Sequence, residues 1–267
     1  MKLGSARVLS NEPVMAETRA LRLEAPWLSG AQPGQFVHVR AGATLDPLLR
    51  RPISVYRVHP DGVSILVRAV GVGTQIIASR QEGSELDILG PLGQPFSVDA
   101  KRTRFFLVGG GYGVAPMVAL TDQLLARGAD VVLAVGARTA EHVYPAGLVP
   151  SAAEYQIATM DGSLGHEGVV TDLLREGMEW AEAVYACGPT PMLAAAHGVV
   201  QEFNRGRGGL GERPIQVAME QHMGCAMGVC LGCVIRTRRG FERVCRDGPV
   251  FSGGDVLWDA VKTGVVA

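Results

Sequence analysis

The sequence predicts a multidomain protein of mixed β and α/β class. A small antiparallel β-barrel or sandwich is expected over residues 1–98, a parallel α/β domain over 99–211 and a small cysteine-bearing domain over 212–267. Three observations predict this order. Short alternating strands bounded by turn signals fill the first hundred residues. Strands and helical periods then alternate, as in a parallel α/β unit. Four of the five cysteines crowd into the segment from Cys225 to Cys245.

In the first module FVHVR (Phe36–Arg40) alternates apolar and polar residues. ISVYRV (Ile53–Val58) and VSILVRAV (Val63–Val70) flank His59-Pro60-Asp61-Gly62, a turn tetrapeptide that predicts a hairpin. ELDIL (Glu85–Leu89) alternates again and is expected to stop at Gly90-Pro91. From Lys101 the texture changes. RFFLV (Arg104–Val108) reads as a strand and VAPMVALTDQLLARG has helical spacing. DVVLAVGA and YQIATM are strands, GVVTDLLREG a helix, AVYA a strand and PMLAAAHGVVQEFN a helix. NRGRGGLGERP (Asn204–Pro214) reads as a linker rich in Gly and Arg, and short strands flank the cysteines beyond it.

Composition narrows the function classes. Apolar residues at 47% and charged residues at 19% exclude a disordered chain. With 25 basic and 26 acidic side chains the net charge is −1, which argues against a nucleic-acid or anionic-membrane surface. No apolar run approaches the roughly 18–20 residues that span a bilayer. MKLGSARVLSNEP starts basic but has no apolar core, so it does not read as a signal peptide. Five cysteines, an odd number with four of them clustered, make a poor disulfide framework and point to a reducing, cytoplasmic setting and a metal site. Glycine is 35 of 267 residues, roughly twice its usual ~7% share.

Cys225, Cys230, Cys233 and Cys245 give C-x4-C-x2-C-x11-C. The first three spacings are those of plant-type [2Fe–2S] ligation. Thiolates around an anionic cluster need backbone N–H groups aimed at sulfur, and Gly224, Gly228 and Gly232 let a tight loop supply them. The alternative is structural zinc. Four-cysteine zinc sites usually come as two C-x2–4-C pairs, and only one C-x2-C is present. Cys187, in YACGPTPM, stands apart and on position alone reads as a small buried apolar residue.

Gly109-Gly110-Gly111-Tyr112-Gly113 joins a strand to a helix, a place where phosphate can approach backbone N–H groups. The loop departs from the Rossmann fingerprint at Ala115-Pro116, and Gly136-Ala137-Arg138 stands where a ribose-binding acid is expected. A tight turn without ligand is the alternative. Arg50-Arg51-Pro52-Ile53-Ser54 offers a forked donor for phosphate or a solvated arginine pair. In a regular strand Arg51 and Ser54 would face opposite ways. Gly71-Val72-Gly73-Thr74 opens a short helix and is a second phosphate cradle or an ordinary cap. The histidines are scattered, His222 reads as structural, and no His/Asp/Glu constellation suggests a general base.

Taken in order, these motifs resemble one family. R-P-I-S, G-x-G-T, G-P-L-G-x-x-F (Gly90–Phe96), V-G-G-G-x-G-x-A-P-M, D-G-S-x-G (Asp161–Gly165) and C-G-P are similar to the ferredoxin-reductase superfamily. The terminal cysteine motif followed by Asp247-Gly248-Pro249-Val250-Phe251 resembles the electron-transfer subunits of dihydroorotate dehydrogenase B. The resemblance runs from about Ala6 to Trp258.

That resemblance implies FAD on the barrel, held by Arg51, Pro52, Ile53 and Ser54, by Leu66, Val67 and Arg68, and by Gly73 and Thr74. It implies NAD at Gly109, Gly110, Gly111 and Gly113 and at Gly188 and Pro189, with Cys187 beside the nicotinamide. The four clustered cysteines would hold a [2Fe–2S] centre. Met160 stands where the family often has Asp, Val67 where it often has Tyr, and Arg138 leaves NAD and NADP both open. The implied partner is an FMN-containing dihydroorotate dehydrogenase catalytic subunit, in a heterotetramer of two of each. The implied role is to pass electrons from that FMN through the cluster and FAD to NAD+ in pyrimidine biosynthesis. A sulfide dehydrogenase or ferredoxin:NAD(P) oxidoreductase subunit shares the architecture. A flavin- and cluster-bearing redox sensor and a zinc-stapled interaction module are the more distant readings.

Overall fold

A computed structural model of the chain describes residues 1–42, 46–208 and 211–261. Six strands open it: β1 (Lys2–Met15), β2 (Thr18–Glu24), β3 (Phe36–Val39), β4 (Arg51–His59), β5 (Gly62–Arg68) and β6 (Glu85–Leu92). They close into an antiparallel barrel in the order β1-β2-β5-β4-β3-β6. Alternate residues fill it, among them Val8, Leu21, Val37, Ile53, Val55, Ile65, Val67 and Ile88. The hairpin read at 53–70 is β4–β5. β6, however, runs through Gly90-Pro91 to Leu92 rather than stopping there, because Lys2 on β1 still pairs with Gly90 and Phe36 on β3 with Leu92. The first two strands complete the closure. The short helix α1 (Val72–Ala78) follows β5.

The second sheet has seven strands in the order β10-β9-β8-β7-β11-β12-β15. These are β7 (Arg104–Gly110), β8 (Asp130–Ala137), β9 (Glu154–Thr159), β10 (His166–Glu167), β11 (Ala183–Cys187), β12 (Ile215–Ala218) and β15 (Val250–Ser252). The chain builds outward from β7 to β10, then returns so that β11 pairs with β7 on its other side, in parallel. The order therefore reverses between β7 and β11, the place where open α/β sheets bind ligands. Helices α2 (Val114–Leu125), α3 (Val170–Gly177) and α4 (Thr190–Gly206) cover the faces.

Two segments differ from the sequence reading. Asn204–Gly206 are the last residues of α4 and not linker. Asn204 is buried and exchanges hydrogen bonds with the Arg213 backbone, through its Nδ2 to Arg213 O and from Arg213 N to its Oδ1, both 2.9 Å. Residues 209 and 210 of that stretch lie outside the described residues. In addition, β12 and β15 come from beyond residue 211, yet they extend the central sheet. The cysteine-bearing lobe, with its hairpin β13 (Val234–Thr237) and β14 (Gly240–Arg243), is thus sewn into that sheet. One continuous apolar cluster holds Phe36 and Leu92 of the barrel, Val217 and Phe251 of the sheet, and Met223, Cys233 and Cys245 of the lobe.

Phe251 lies at the centre of that seam and is 2% exposed. Phe251→Ala is expected to cost about 3–5 kcal/mol by opening a cavity there. Urea unfolding checks it; a loss below about 1 kcal/mol would mean that β15 is not integral to the fold.

Candidate functional site

The outer face of the barrel beside the sheet is set by strand alternation. On β4 Ile53 and Val55 turn inward, which leaves Pro52 and Ser54 outward; on β5 Val67 turns inward and Leu66 and Arg68 outward. The same alternation puts Tyr56 on the outer side. Tyr56 and Leu66 accordingly join the apolar cluster of the sheet with Phe105, Val114 and Met117. Of the residues expected to line a flavin, Pro52, Ser54, Leu66 and Arg68 share this face. Ile53 and Val67 do not: their side chains are in the barrel core, so only their main chain faces outward. Val67 is not a missing aromatic contact but a core residue.

Arg51 ends at α1. A Cβ placed on Gly73 would lie 2.6 Å from Arg51 Nε, so the guanidinium rests directly on the first turn of that helix. Thr74 Oγ1 accepts from the Val70 and Gly71 N–H groups, both at 3.1 Å, and donates to Gly71 O at 3.0 Å. Its hydroxyl is therefore spent on capping, and a phosphate here would meet the guanidinium. Across from Pro52, His38 is 1% exposed and neither ring nitrogen has a partner. Burial, then the neighbouring Arg50 guanidinium, lowers its pKa to about 4, which keeps the ring neutral. A flavin on this face fits the geometry: a flat apolar strip, a forked cation at one end and an unpaired buried imidazole beside the proline.

A cleft of about 490 Å³ opens at the C-terminal ends of β7, β8, β9 and β11. Gly110, Gly111 and Tyr112 form one wall, Pro189 and Met192 another, and Arg138, Met160 and Val170 a third; Arg68 and Thr18 of the barrel close the rim. Glycine is required where the two turns touch. A Cβ on Gly113 would sit 2.4 Å from Cys187 O, and one on Gly110 would sit 2.5 Å from Met192 Sδ. α2, which continues the 3-10 turn Gly111–Gly113, and α4 begin at these turns, so a pyrophosphate seated here would lie at the N-terminal ends of both helices. Of the expected residues, Gly110, Gly111 and Pro189 line the cleft, Gly109 is the last but one residue of β7, and Gly113 and Gly188 carry the turn-to-turn contact.

Cys187 lies behind this wall, 3% exposed, its thiol held well above its usual range by burial and then by the charge of Glu220. Glu220, two residues past β12, was not visible as a functional residue in the sequence. Tyr112 OH donates to its Oε2 at 3.2 Å. Burial raises the Glu220 carboxyl to about 7, against the Tyr112 hydrogen bond, which lowers it. The structure thus holds a Tyr112–Glu220–Cys187 group in place of the acid/base-free site expected.

The four thiols pair two and two. Cys230 lies beside Cys225, and Cys233 beside Cys245. Cys225 Sγ receives the N–H groups of Met227, Val229 and Cys230, each at 3.4 Å, and Cys233 Sγ receives Cys245 N–H at 3.4 Å. Burial opposes ionisation of Cys225, but these donors bring it down to about 6. The loop has positive φ at Ala226, Gly228 and Leu231, and a Cβ on Gly224 or Gly232 would lie 3.5 or 3.6 Å from Cys230 Sγ. Among the described residues no three His, Cys, Asp or Glu side chains converge on one point as a single metal ion needs. Two pairs of thiols fit a two-iron cluster, in which each iron takes two thiolates.

The raised Glu220 carboxyl sets a pH dependence. A carboxyl whose folded pKa lies above its unfolded value contributes stability that is complete below about 4.5 and lost as pH rises through about 7. Glu220→Gln is therefore expected to gain on the unmodified protein across that window, by up to about 3 kcal/mol. Urea midpoints at several pH values check it; a constant difference would contradict the shifted carboxyl.

Comparison with known proteins agrees with this geometry. The model of the iron-sulfur cluster binding domain of dihydroorotate dehydrogenase B matches residues 220–257. The chain is 37% identical over 265 residues to the dihydroorotate dehydrogenase B (NAD(+)) electron transfer subunit of Geobacillus sp. (strain WCH70), covering 96% of this chain and 99% of that one. It is 40% identical over 233 residues to the subunit of that name from Bacillus caldolyticus, covering 85% and 87%. Among solved structures it is similar to the NADH-dependent reduced ferredoxin-NADP oxidoreductase, with TM-score 0.83, 27% identity and coverage of 95% and 90%. A ferredoxin reductase of carbazole 1,9a-dioxygenase shares the fold at TM-score 0.65 and 21% identity, covering 80% and 68%. With relatives this similar along nearly its whole length, the chain belongs to the family of dihydroorotate dehydrogenase B electron-transfer subunits.

Proposed function

We propose that this protein is the electron-transfer subunit of an NAD-dependent dihydroorotate dehydrogenase of pyrimidine biosynthesis. It takes electrons from the FMN of a catalytic partner and delivers them through a [2Fe–2S] cluster and FAD to NAD+. The observation that carries the reading is the pairing of four thiols, two and two, on a loop that leaves the same sheet whose switch point forms the dinucleotide cleft. When bound, the cluster exchanges single electrons, the nicotinamide exchanges hydride, and the flavin handles both.

The residues of this chain hold those groups. Arg51 and the first turn of α1 at Gly73 and Thr74 take the FAD phosphates; Pro52, Ser54, Leu66 and Arg68 present a face to its ring, with Ile53 and Val67 contributing main chain. Gly109, Gly110, Gly111 and Gly113, with Gly188 and Pro189, seat the NAD pyrophosphate, and Cys187 backs the nicotinamide. Cys225, Cys230, Cys233 and Cys245 ligate the cluster. All five cysteines are free and no described helix is long and apolar enough to cross a membrane, which supports a cytoplasmic location. The complex is expected to contain two of each subunit, and its mass in solution checks that composition.

Co-expression with the catalytic subunit tests the reading: dihydroorotate-dependent reduction of NAD+ is expected, with flavin absorption and a cluster EPR signal after reduction. Activity only with sulfide or reduced ferredoxin would transfer the chain to another enzyme of this architecture. Cys230→Ser is expected to abolish the coupled reaction while NADH oxidation by an artificial flavin acceptor largely survives; loss of both would make the cluster only structural.

The cluster loop also supplies the docking rim. Val229 is 77% and Leu231 60% exposed, on either side of exposed Cys230. Val229→Asp is expected to weaken association with the catalytic subunit by about tenfold or more, measured by calorimetry, since burying an unpaired charge opposes docking. Unchanged affinity would place the interface elsewhere.

A further inference from the structure

The sheet order β9-β8-β7-β11-β12 makes β7 the first strand of a dinucleotide-type fold and β8 the second. In that arrangement a pyrophosphate sits at the turn after the first strand. The side chain at the end of the second strand then meets the ribose on the adenosine side and reads its 2′ position. The inference rests on the reading that the cleft takes a dinucleotide.

β8 ends at Ala137, and Arg138 follows it on the cleft wall. Met160 follows β9 in the same way. Met160 N–H donates to Ala137 O at 3.1 Å and Asp161 N–H to Arg138 O at 3.3 Å, so the two strand ends stand side by side. Among the described residues no carboxylate lines the cleft. The Asp161 carboxylate is folded back on its own turn, where its Oδ1 accepts from Ser163 N–H at 3.0 Å and from Ser163 Oγ at 2.6 Å. Other polar groups at this end are also committed. Ala140 N–H donates to Ser163 Oγ at 2.8 Å, and Thr139 Oγ1 shares a hydrogen bond with His142 Nδ1 at 2.8 Å. Of the arginines at the cleft, Arg68 is ion-paired to Glu17 at 3.2 Å. The Arg138 guanidinium makes no hydrogen bond or ion pair among the described residues.

We propose that Arg138 is a specificity-determining residue. Through it the cleft takes dinucleotides phosphorylated on the adenosine 2′ position, NADP(H), as well as NAD(H), and holds the phosphorylated form the more tightly. A guanidinium is a forked donor that matches phosphate oxygens, and it has nothing to accept the hydrogen of a 2′-hydroxyl. Arg138 is exposed and Met160 beside it is 63% exposed. A phosphate between them keeps water on its remaining oxygens, so the desolvation that penalises buried ion pairs is small. The same exposure limits the gain, because a solvated ion pair is weak and is screened by salt. The result is a preference, not an absolute choice.

Calorimetry of the holoprotein with ADP-ribose and with 2′-phospho-ADP-ribose tests the proposal; neither fragment carries a nicotinamide, so binding is read without turnover. At low ionic strength the phosphorylated fragment is expected to bind about three- to tenfold more tightly. The ratio should shrink toward unity near 1 M salt, where the screening length is about 3 Å. Arg138→Ala should bring the ratio to about unity at low salt. Met160→Asp, which sets a carboxylate beside the phosphate, should lower the ratio with Arg138 still in place. Each ratio is taken within one protein, so a general loss of affinity in a variant cancels. Equal binding of the two fragments to the unmodified protein, or a preference that survives Arg138→Ala, would overturn the proposal. A ratio unmoved by Met160→Asp would likewise place the 2′ position elsewhere. If neither fragment binds the unmodified protein, the dinucleotide reading falls, and the proposal with it.

Discussion

The close approach of two turns, Gly110–Gly113 after β7 and Cys187–Pro189 after β11, is the constraint on which the rest of the site depends. Their backbones pack so tightly that Gly113 leaves no room for a Cβ against Cys187 O. At Gly110 a Cβ would instead meet the Pro189 ring at 2.9 Å and the movable end of the Met192 side chain at 2.5 Å. Because these turns are also the starts of α2 and α4, their contact brings two helix N-termini to one point. The positive ends of both peptide dipoles then face the same cleft. The same contact packs the Cys187 carbonyl against the Gly113 turn. Anion recognition and thiol burial are two results of one packing event.

The second constraint is the way β12 and β15 tie the cysteine lobe to the sheet. β12 runs parallel to β11 and ends at Ala218, opposite Cys187. Glu220 follows at once, and Cys225 is five residues further on. The path from the dinucleotide cleft to the cluster loop is thus a few residues of chain whose start is fixed by sheet hydrogen bonds. Its end is fixed by burial of Cys233 and Cys245 in the same apolar cluster as Val217 and Phe251. A lobe held on a flexible linker would need a separate interface to fix its distance from the sheet. Here the main chain itself sets that distance.

Legibility in the sequence followed the range of the interaction. The thiol quartet and the glycine turn are local patterns whose spacing carries the chemistry, and both reappear in the structure as compact loops. β1 and β2 were less visible because much of β1 is exposed or half-buried, with only Ala6 and Val8 fully buried. Its place is decided by pairing with β2 and β6, which no periodicity records. Asn204–Gly206 carried linker composition, but Asn204 is claimed by the Arg213 backbone across the following turn. Glu220 was the least visible of all. Its partner Tyr112 is 108 residues away, and its raised pKa comes from burial that exists only once the turns and β12 are assembled.

Exposure differs between the cluster loop and the cleft for a physical reason. At the cluster loop Cys230, Val229 and Leu231 lie at the surface, while Cys187 at the end of β11 is covered. Single electrons cross through intervening protein, so a cluster needs a complementary surface against its partner and no opening to a substrate. Hydride transfer demands direct contact between donor and acceptor atoms in a defined orientation, and it is best served where water is excluded. The glycine turns, which let a dinucleotide lie against the main chain, suit that demand at the cleft. Exposed Val229 and Leu231 offer an apolar rim at the cluster loop. The fold therefore separates one-electron and two-electron chemistry by burial as well as by position.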